Sequence, residues 1–101
     1  MPSNHDVFQA FADGRPLRGG NVSSETLSDG STVLMSYSTP VALHIGNAVV
    51  VDARRYSVTT SKQVTGTIMP CHHAGLSWDR IDHDAFRSLC RELNVSLAFA
   101  R

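Results

Sequence analysis

Apolar positions along this chain change period from segment to segment, and each period predicts a different element. Val7, Phe8, Ala10 and Phe11 recur at helical spacing, with Ser3 or Asn4 placed to cap a short helix opening near Asp6. Asp13-Gly14 ends it, and Arg15-Pro16 followed by Gly19-Gly20-Asn21 is loop chemistry. Residues 22–27 are polar with weak alternation, which predicts an exposed edge strand. Asp29-Gly30 then supplies residues that tolerate positive φ, so a turn follows. Residues 32–37 and 41–45 read as strands on either side of Pro40, whose missing N–H suits a bulge or an edge. Gly46-Asn47 is a two-residue hairpin loop, and residues 48–53 form the most apolar strand. Its uninterrupted Val49-Val50-Val51 predicts burial on both faces and a central position in the sheet.

Beyond residue 58 the pattern turns polar. Thr60-Ser61-Lys62-Gln63 has the capping-box order, in which a hydroxyl and a glutamine amide satisfy orphan backbone donors reciprocally. A helix opening at Ser61 would place Val64 and Ile68 on one face. Thr65, Gly66 and Thr67 all disfavour helix, so a third long strand is the rival reading. Residues 70–75 read as a loop. Asp82 or Ser77 caps the strongest helix, residues 82–93, whose Phe86, Leu89, Cys90 and Leu93 form one apolar face. Asn94 terminates it, and Val95, Leu97 and Phe99 alternate as a short final strand.

The elements add up to a single α+β domain, 1–101: an antiparallel sheet of about four strands packed on one face by two or three short helices. A chain of 101 residues with 42% hydrophobic content is large enough to bury a core without disulfides or metals. No run approaches the roughly 20 apolar residues that span a bilayer, and the first residues lack a secretory pattern. A cytoplasmic protein with no membrane partner is the expectation. Two cysteines are too few for a disulfide framework.

Nine Lys/Arg balance nine Asp/Glu, so the net charge is zero. Dedicated nucleic-acid binders carry an excess of positive charge, which weighs against that class without excluding a local basic face. Low net charge also tolerates self-association, so a homodimer is compatible with the sequence.

Thr39-Pro40-Val41-Ala42, followed by Tyr56-Ser57-Val58-Thr59-Thr60-Ser61-Lys62-Gln63, resembles a family of small uncharacterised domains common in bacteriophage and plasmid genomes. The family pairs a threonine-proline strand with a tyrosine-serine-x-threonine-threonine-serine segment, then a basic residue and His or Gln. Here the last position is Gln63 rather than the frequent histidine. The resemblance spans residues 36–68. It implies a mobile-element accessory protein and brings no activity with it; anti-CRISPR proteins are the analogy for such small blocking proteins.

The side chains that suggest chemistry each have a structural alternative. Cys71, His73, His83 and Cys90 offer zinc-type donors, but neither C-x₂₋₄-C nor H-x₃₋₅-H spacing occurs, and Cys90 already belongs to an apolar helix face. A Cys71 nucleophile needs an oriented base and oxyanion donors that nothing around it announces. The hydroxyls of residues 57–61, with Lys62, suit an anion, yet no glycine-rich loop precedes them and capping accounts for Thr60 and Gln63. Arg54, Arg55, Tyr56 and Lys62 make the one cluster mixing basic and aromatic residues, and Asp52 partly offsets its charge. Trp78 and Arg80 extend it if the intervening chain folds back over the same side. Trp and Arg are enriched at interface centres, and Trp equally at cores.

These features predict a non-enzymatic protein without cofactors that binds, and by analogy inhibits, a host protein or protein–nucleic acid complex. Its partner-binding residues would be Arg54, Arg55, Tyr56, Lys62, Trp78 and Arg80. The alternative is a small nucleic-acid-associated regulator using the local basic patch; a Cys/His enzyme or zinc-binding protein comes third.

Overall fold

The computed structural model describes residues 2–37, 39–53 and 66–93. Its elements in chain order are helix α1 (Asn4–Ala12), strands β1 (Leu17–Arg18), β2 (Val22–Thr26), β3 (Thr32–Ser36), β4 (Thr39–Ile45) and β5 (Ala48–Asp52), helix α2 (Ile68–His73), strand β6 (Ser77–Ile81) and helix α3 (His83–Glu92). The described strands form one six-stranded sheet in the order β1-β2-β3-β4-β5-β6. Neighbours are antiparallel from β1 to β5, and β6 joins β5 in parallel. The class expected from sequence, α+β, holds. The sheet is larger than the four antiparallel strands expected, and it is mixed.

Helices lie on both faces rather than one. Alternate residues of a strand point to opposite faces, and β3 divides accordingly. Leu34 joins Val7, Phe8, Phe11, Ala12, Val22, Val49, Val51 and Cys71 in a cluster under α1 and α2. Val33 and Met35 join Leu43, Phe86 and Cys90 in a second cluster under α3. All five residues of β3 are therefore buried. The strand covered throughout is β3, whereas β5 keeps Ala48 and Val50 partly exposed. The valine run is interior, between β4 and β6, though not the middle of the sheet. Full burial of each large side chain here contributes about 1.5–3 kcal/mol.

Several local expectations hold, and each has a visible cause. Ser3 caps α1: its hydroxyl accepts from the Asp6 N–H at 3.2 Å while the Asp6 carboxylate accepts from the Ser3 N–H at 3.0 Å. Gly14, at φ +73°, closes α1, with the Gly14 N–H on the Phe11 carbonyl and the Arg15 N–H on that of Ala10. Pro40 does sit at a bulge. The β3–β4 register jumps from Leu34↔Ala42 to Met35↔Pro40, skipping Val41. The extra residue lets consecutive Val41 and Ala42 both enter the first cluster. The Gly46-Asn47 loop joins β4 to β5 with Ile45 opposite Ala48, and Gly46 at φ +60° suits a type II′ turn. Asp82 caps α3, its carboxylate accepting from the Ala85 N–H at 2.9 Å. Ser77, the other capping candidate, heads β6 instead.

Two local expectations fail, and one strand went unexpected. Residues 22–27 are not an exposed edge strand: β1 covers the first part of β2, and Val22 and Ser24 are buried. Residues 70–75 are not all loop, because α2 runs through Pro70. Proline is tolerated in a helix's first turn, where its missing N–H has no intrahelical partner to lose. Finally β6, Ser-Trp-Asp-Arg-Ile, carries too few apolar residues to announce a strand, since three of its five positions face solvent. The Thr60–Gln63 capping box and the expected strand at Val95, Leu97 and Phe99 lie outside the described residues.

Candidate functional site

Because β5 and β6 run the same way, their carboxyl ends lie side by side, with Asp52 opposite Ile81. A parallel pair needs a long crossover, and here the connection includes α2. The Ala53 N–H donates to the Ile81 carbonyl at 2.8 Å, so the chain leaves the sheet beside the end of β6. Arg54, Arg55, Tyr56, Thr60, Lys62 and Gln63 follow Ala53 in sequence and lie outside the described residues. The structure brings the backbone preceding that cluster next to β6, the strand that carries Trp78 and Arg80.

On the outer strand, Trp78 and Arg80 are two residues apart and share the α1–α2 face. Trp78 packs half-buried against the first core cluster. The exposed Arg80 guanidinium lies 5.7 Å from the Trp78 ring centroid, a cation–π arrangement. The indole Nε1 is buried and has no hydrogen-bond partner among the described residues. A buried donor left unpaired costs about 1–3 kcal/mol, so this position is one that core packing alone does not favour. The ring is thus partly anchored in the core; its other expected role, at the centre of an interface, remains a proposal.

On the opposite face, the carboxylate of Asp52 and Nδ1 of His83 are 2.7 Å apart. The Asp52 side chain is 1% exposed and that of His83 32%. The apolar strand delivers the carboxylate into the core, and the first residue of α3 meets it there. The sequence read Asp52 only as a charge offsetting its arginine neighbours. Its signal was available: an acidic residue closing a buried strand requires a partner.

The cysteines divide between the two faces. Cys71 belongs to the cluster under α1 and α2, and Cys90 to the one under α3, so the sheet separates them. His73 is exposed at the end of α2. Among the described residues no three His, Cys, Asp or Glu side chains are grouped to hold a metal ion. Burial pushes the Cys71 thiol up to about 11. Burial, then the nearby Asp52 charge, pushes Cys90 up to about 11 as well, against a smaller opposing effect of Arg87. The nucleophile is the thiolate, so both side chains are inert at neutral pH.

Fold and site define a small mixed-sheet α+β domain with an aromatic–cation pair, Trp78 half-buried and Arg80 exposed, on its outer parallel strand. The chain belongs to a family of unknown function, DUF8033, whose model matches residues 15–80. That span runs from Arg15, just after α1, to Arg80 and takes in the sheet apart from the last residue of β6, while His83 and α3 lie beyond it. No curated protein and no solved structure matches the chain. No described helix is long and apolar enough to cross a membrane.

Proposed function

We propose that this protein is a non-enzymatic binding module that occludes or recruits a protein partner. Its working surface combines Trp78 and Arg80 on β6 with Arg54, Arg55, Tyr56 and Lys62 from the segment that leaves β5 beside it. The observation that carries this reading is the Arg80 guanidinium over a half-buried Trp78 whose indole N–H has no partner among the described residues. Trp and Arg dominate the energetics of protein interfaces, above all where the ring is already held in place by packing. The thiols raised to about 11 weigh against the Cys/His enzyme. The resemblance of residues 36–68 to phage and plasmid domains favours a cytoplasmic host component as partner, in the manner of anti-CRISPR proteins.

The experiment is affinity capture from host lysate with and without nuclease, using the wild type, Trp78→Ala, and Arg54→Ala combined with Arg55→Ala. A stoichiometric protein partner that survives nuclease and moderate salt, and is lost with Trp78→Ala, supports the proposal. The double arginine variant should fold normally and lose more than about 1 kcal/mol of affinity. Recovery of nucleic acid alone, with binding that weakens steeply with salt, would favour the nucleic-acid regulator instead.

A further inference from the structure

Two edges bound the described sheet, and they differ in kind. At one, β1 is two residues long and follows Pro16, which has no N–H to offer a neighbour. Short strands and proline are devices that keep sheet edges from pairing. At the other, β6 runs for five residues in unbroken register with β5 and contains no proline.

The phase of its hydrogen bonds is fixed at both ends. The Ser77 N–H donates to the Asn47 carbonyl at 3.0 Å, and the Ile81 carbonyl accepts from the Ala53 N–H at 2.8 Å. Main-chain groups of successive strand residues point to alternate sides, so Ser77, Asp79 and Ile81 turn theirs toward β5. Trp78 and Arg80 turn theirs outward, where no described strand lies.

We propose that β6 takes its partner by strand addition, an inference that rests on the binding-module reading above. The occupant is an extended segment of the partner protein, antiparallel to β6 and bonded to the outward N–H and C=O of Trp78 and Arg80. Antiparallel pairing gives the more stable ladder per residue. Side chains specify the segment's chemistry. Asp79 and Arg80 are exposed on opposite faces, and neither has an ion-pair partner among the described residues. Opposite charges directly across a strand pair stabilise it. The segment therefore carries a carboxylate opposite Arg80, then a basic residue opposite Asp79, then an apolar residue opposite Trp78, whose ring already rests on the core. A second copy of this chain fits less well. Two β6 strands paired antiparallel over their full length set Asp79 opposite Asp79 at the close, non-hydrogen-bonded position, where like charges destabilise.

Amide exchange on the wild-type chain tests the edge. Trp78 and Arg80 should exchange freely while Ser77, Asp79 and Ile81 are protected. Protection of all five in the free protein means that the chain covers its own edge, which overturns the proposal. The probe for occupancy is the end-capped peptide Thr-Val-Glu-Lys-Val-Thr, which sets Glu opposite Arg80, Lys opposite Asp79 and the second Val opposite Trp78. In roughly tenfold excess over its dissociation constant it should slow exchange at Trp78 and Arg80 roughly tenfold. No slowing at millimolar peptide overturns strand addition. Methylating the Glu and second Val nitrogens, or exchanging Glu with Lys, should weaken binding by about tenfold or more. Equal binding of the methylated peptide overturns the main-chain pairing, and equal binding of the exchanged one overturns the assigned charges. These arms use the wild type and stand even if a variant fails to fold.

Host-lysate capture with Arg80→Ala and Arg80→Pro separates strand addition from the binding-module reading. Both variants lose the guanidinium, but only proline removes the outward N–H, and both leave the bonds to β5 in place. A partner kept by alanine and lost by proline supports strand addition. A partner held equally by both leaves the binding module standing and overturns strand addition. A wild type that takes the peptide and captures no host protein overturns the binding-module reading alone.

Discussion

The Asp52 carboxylate, almost wholly buried at the end of β5, is held 2.7 Å from Nδ1 of His83 at the first position of α3. This contact ties the only helix on its face of the sheet, among the described residues, to the strand beneath it. Apolar packing of Phe86 and Cys90 is non-directional, whereas a hydrogen bond to a buried carboxylate fixes where the helix begins.

His83→Ala should accordingly destabilise the fold by about 1–3 kcal/mol, because a buried acceptor loses one of its partners. Denaturant melts measure this, and amide exchange should show α3 less protected than β3. A change below about 0.5 kcal/mol would mean that α3 is positioned by packing alone.

Elements marked by sharp local chemistry were legible in the sequence. Ser3, Asp29-Gly30, Pro40, Gly46-Asn47 and Asp82 act over a few residues, and each appears where its chemistry put it. What escaped was set by long-range burial. β6 has little apolar content because it lies on the outside of the sheet, and its parallel pairing with β5 depends on a crossover no local pattern encodes. Without β6, one face of helices looked sufficient, and β5 looked more central than β3. The site was legible in part. Trp78 and Arg80 stood out by type, but Asp52 gains meaning only through a partner 31 residues away.

Gly66 just precedes α2 and faces the first core cluster. A Cβ added there would fall on the Phe8 ring, 2.9 Å from Cδ2. Phe8 is packed in the core and has little room to yield, so Gly66→Ala should destabilise by about 1–3 kcal/mol, the usual range for overpacking. Gly66→Ala combined with Phe8→Leu should recover part of that loss. If the single variant melts with the wild type, the approach of α2 to α1 is looser than the structure has it.

The buried thiols give a dependence on alkaline pH. Folding raises both from the ordinary 9.0 to about 11, so between these values the native state keeps protons that the unfolded chain has released. Unfolding then releases protons and is favoured by rising pH. Stability contributed by the two cysteines is complete below about 9.0 and declines as pH climbs toward 11. Replacing both by Ala should flatten that decline in melts across the range. Native protein at pH 7.5 should also react with a thiol reagent no faster than it opens; rapid labelling of either cysteine would contradict the burial.

Trp78 is the one tryptophan in the sequence, so its emission reports directly on β6. Arg80 covers the ring with a cation while the rest of the indole rests on the core. Arg80→Ala removes the cation and leaves the strand's backbone pairing untouched. It should cost about 0.5–1 kcal/mol, the scale of an exposed cation–π contact, and it should alter the native emission spectrum without altering that of the unfolded chain. Arg80→Lys keeps a charge but loses the flat guanidinium that stacks, so it should fall between wild type and alanine. Native spectra and melting midpoints unchanged in both variants would mean that Arg80 does not rest on the ring in solution. The aromatic–cation pair would then have no part in what β6 presents to a partner.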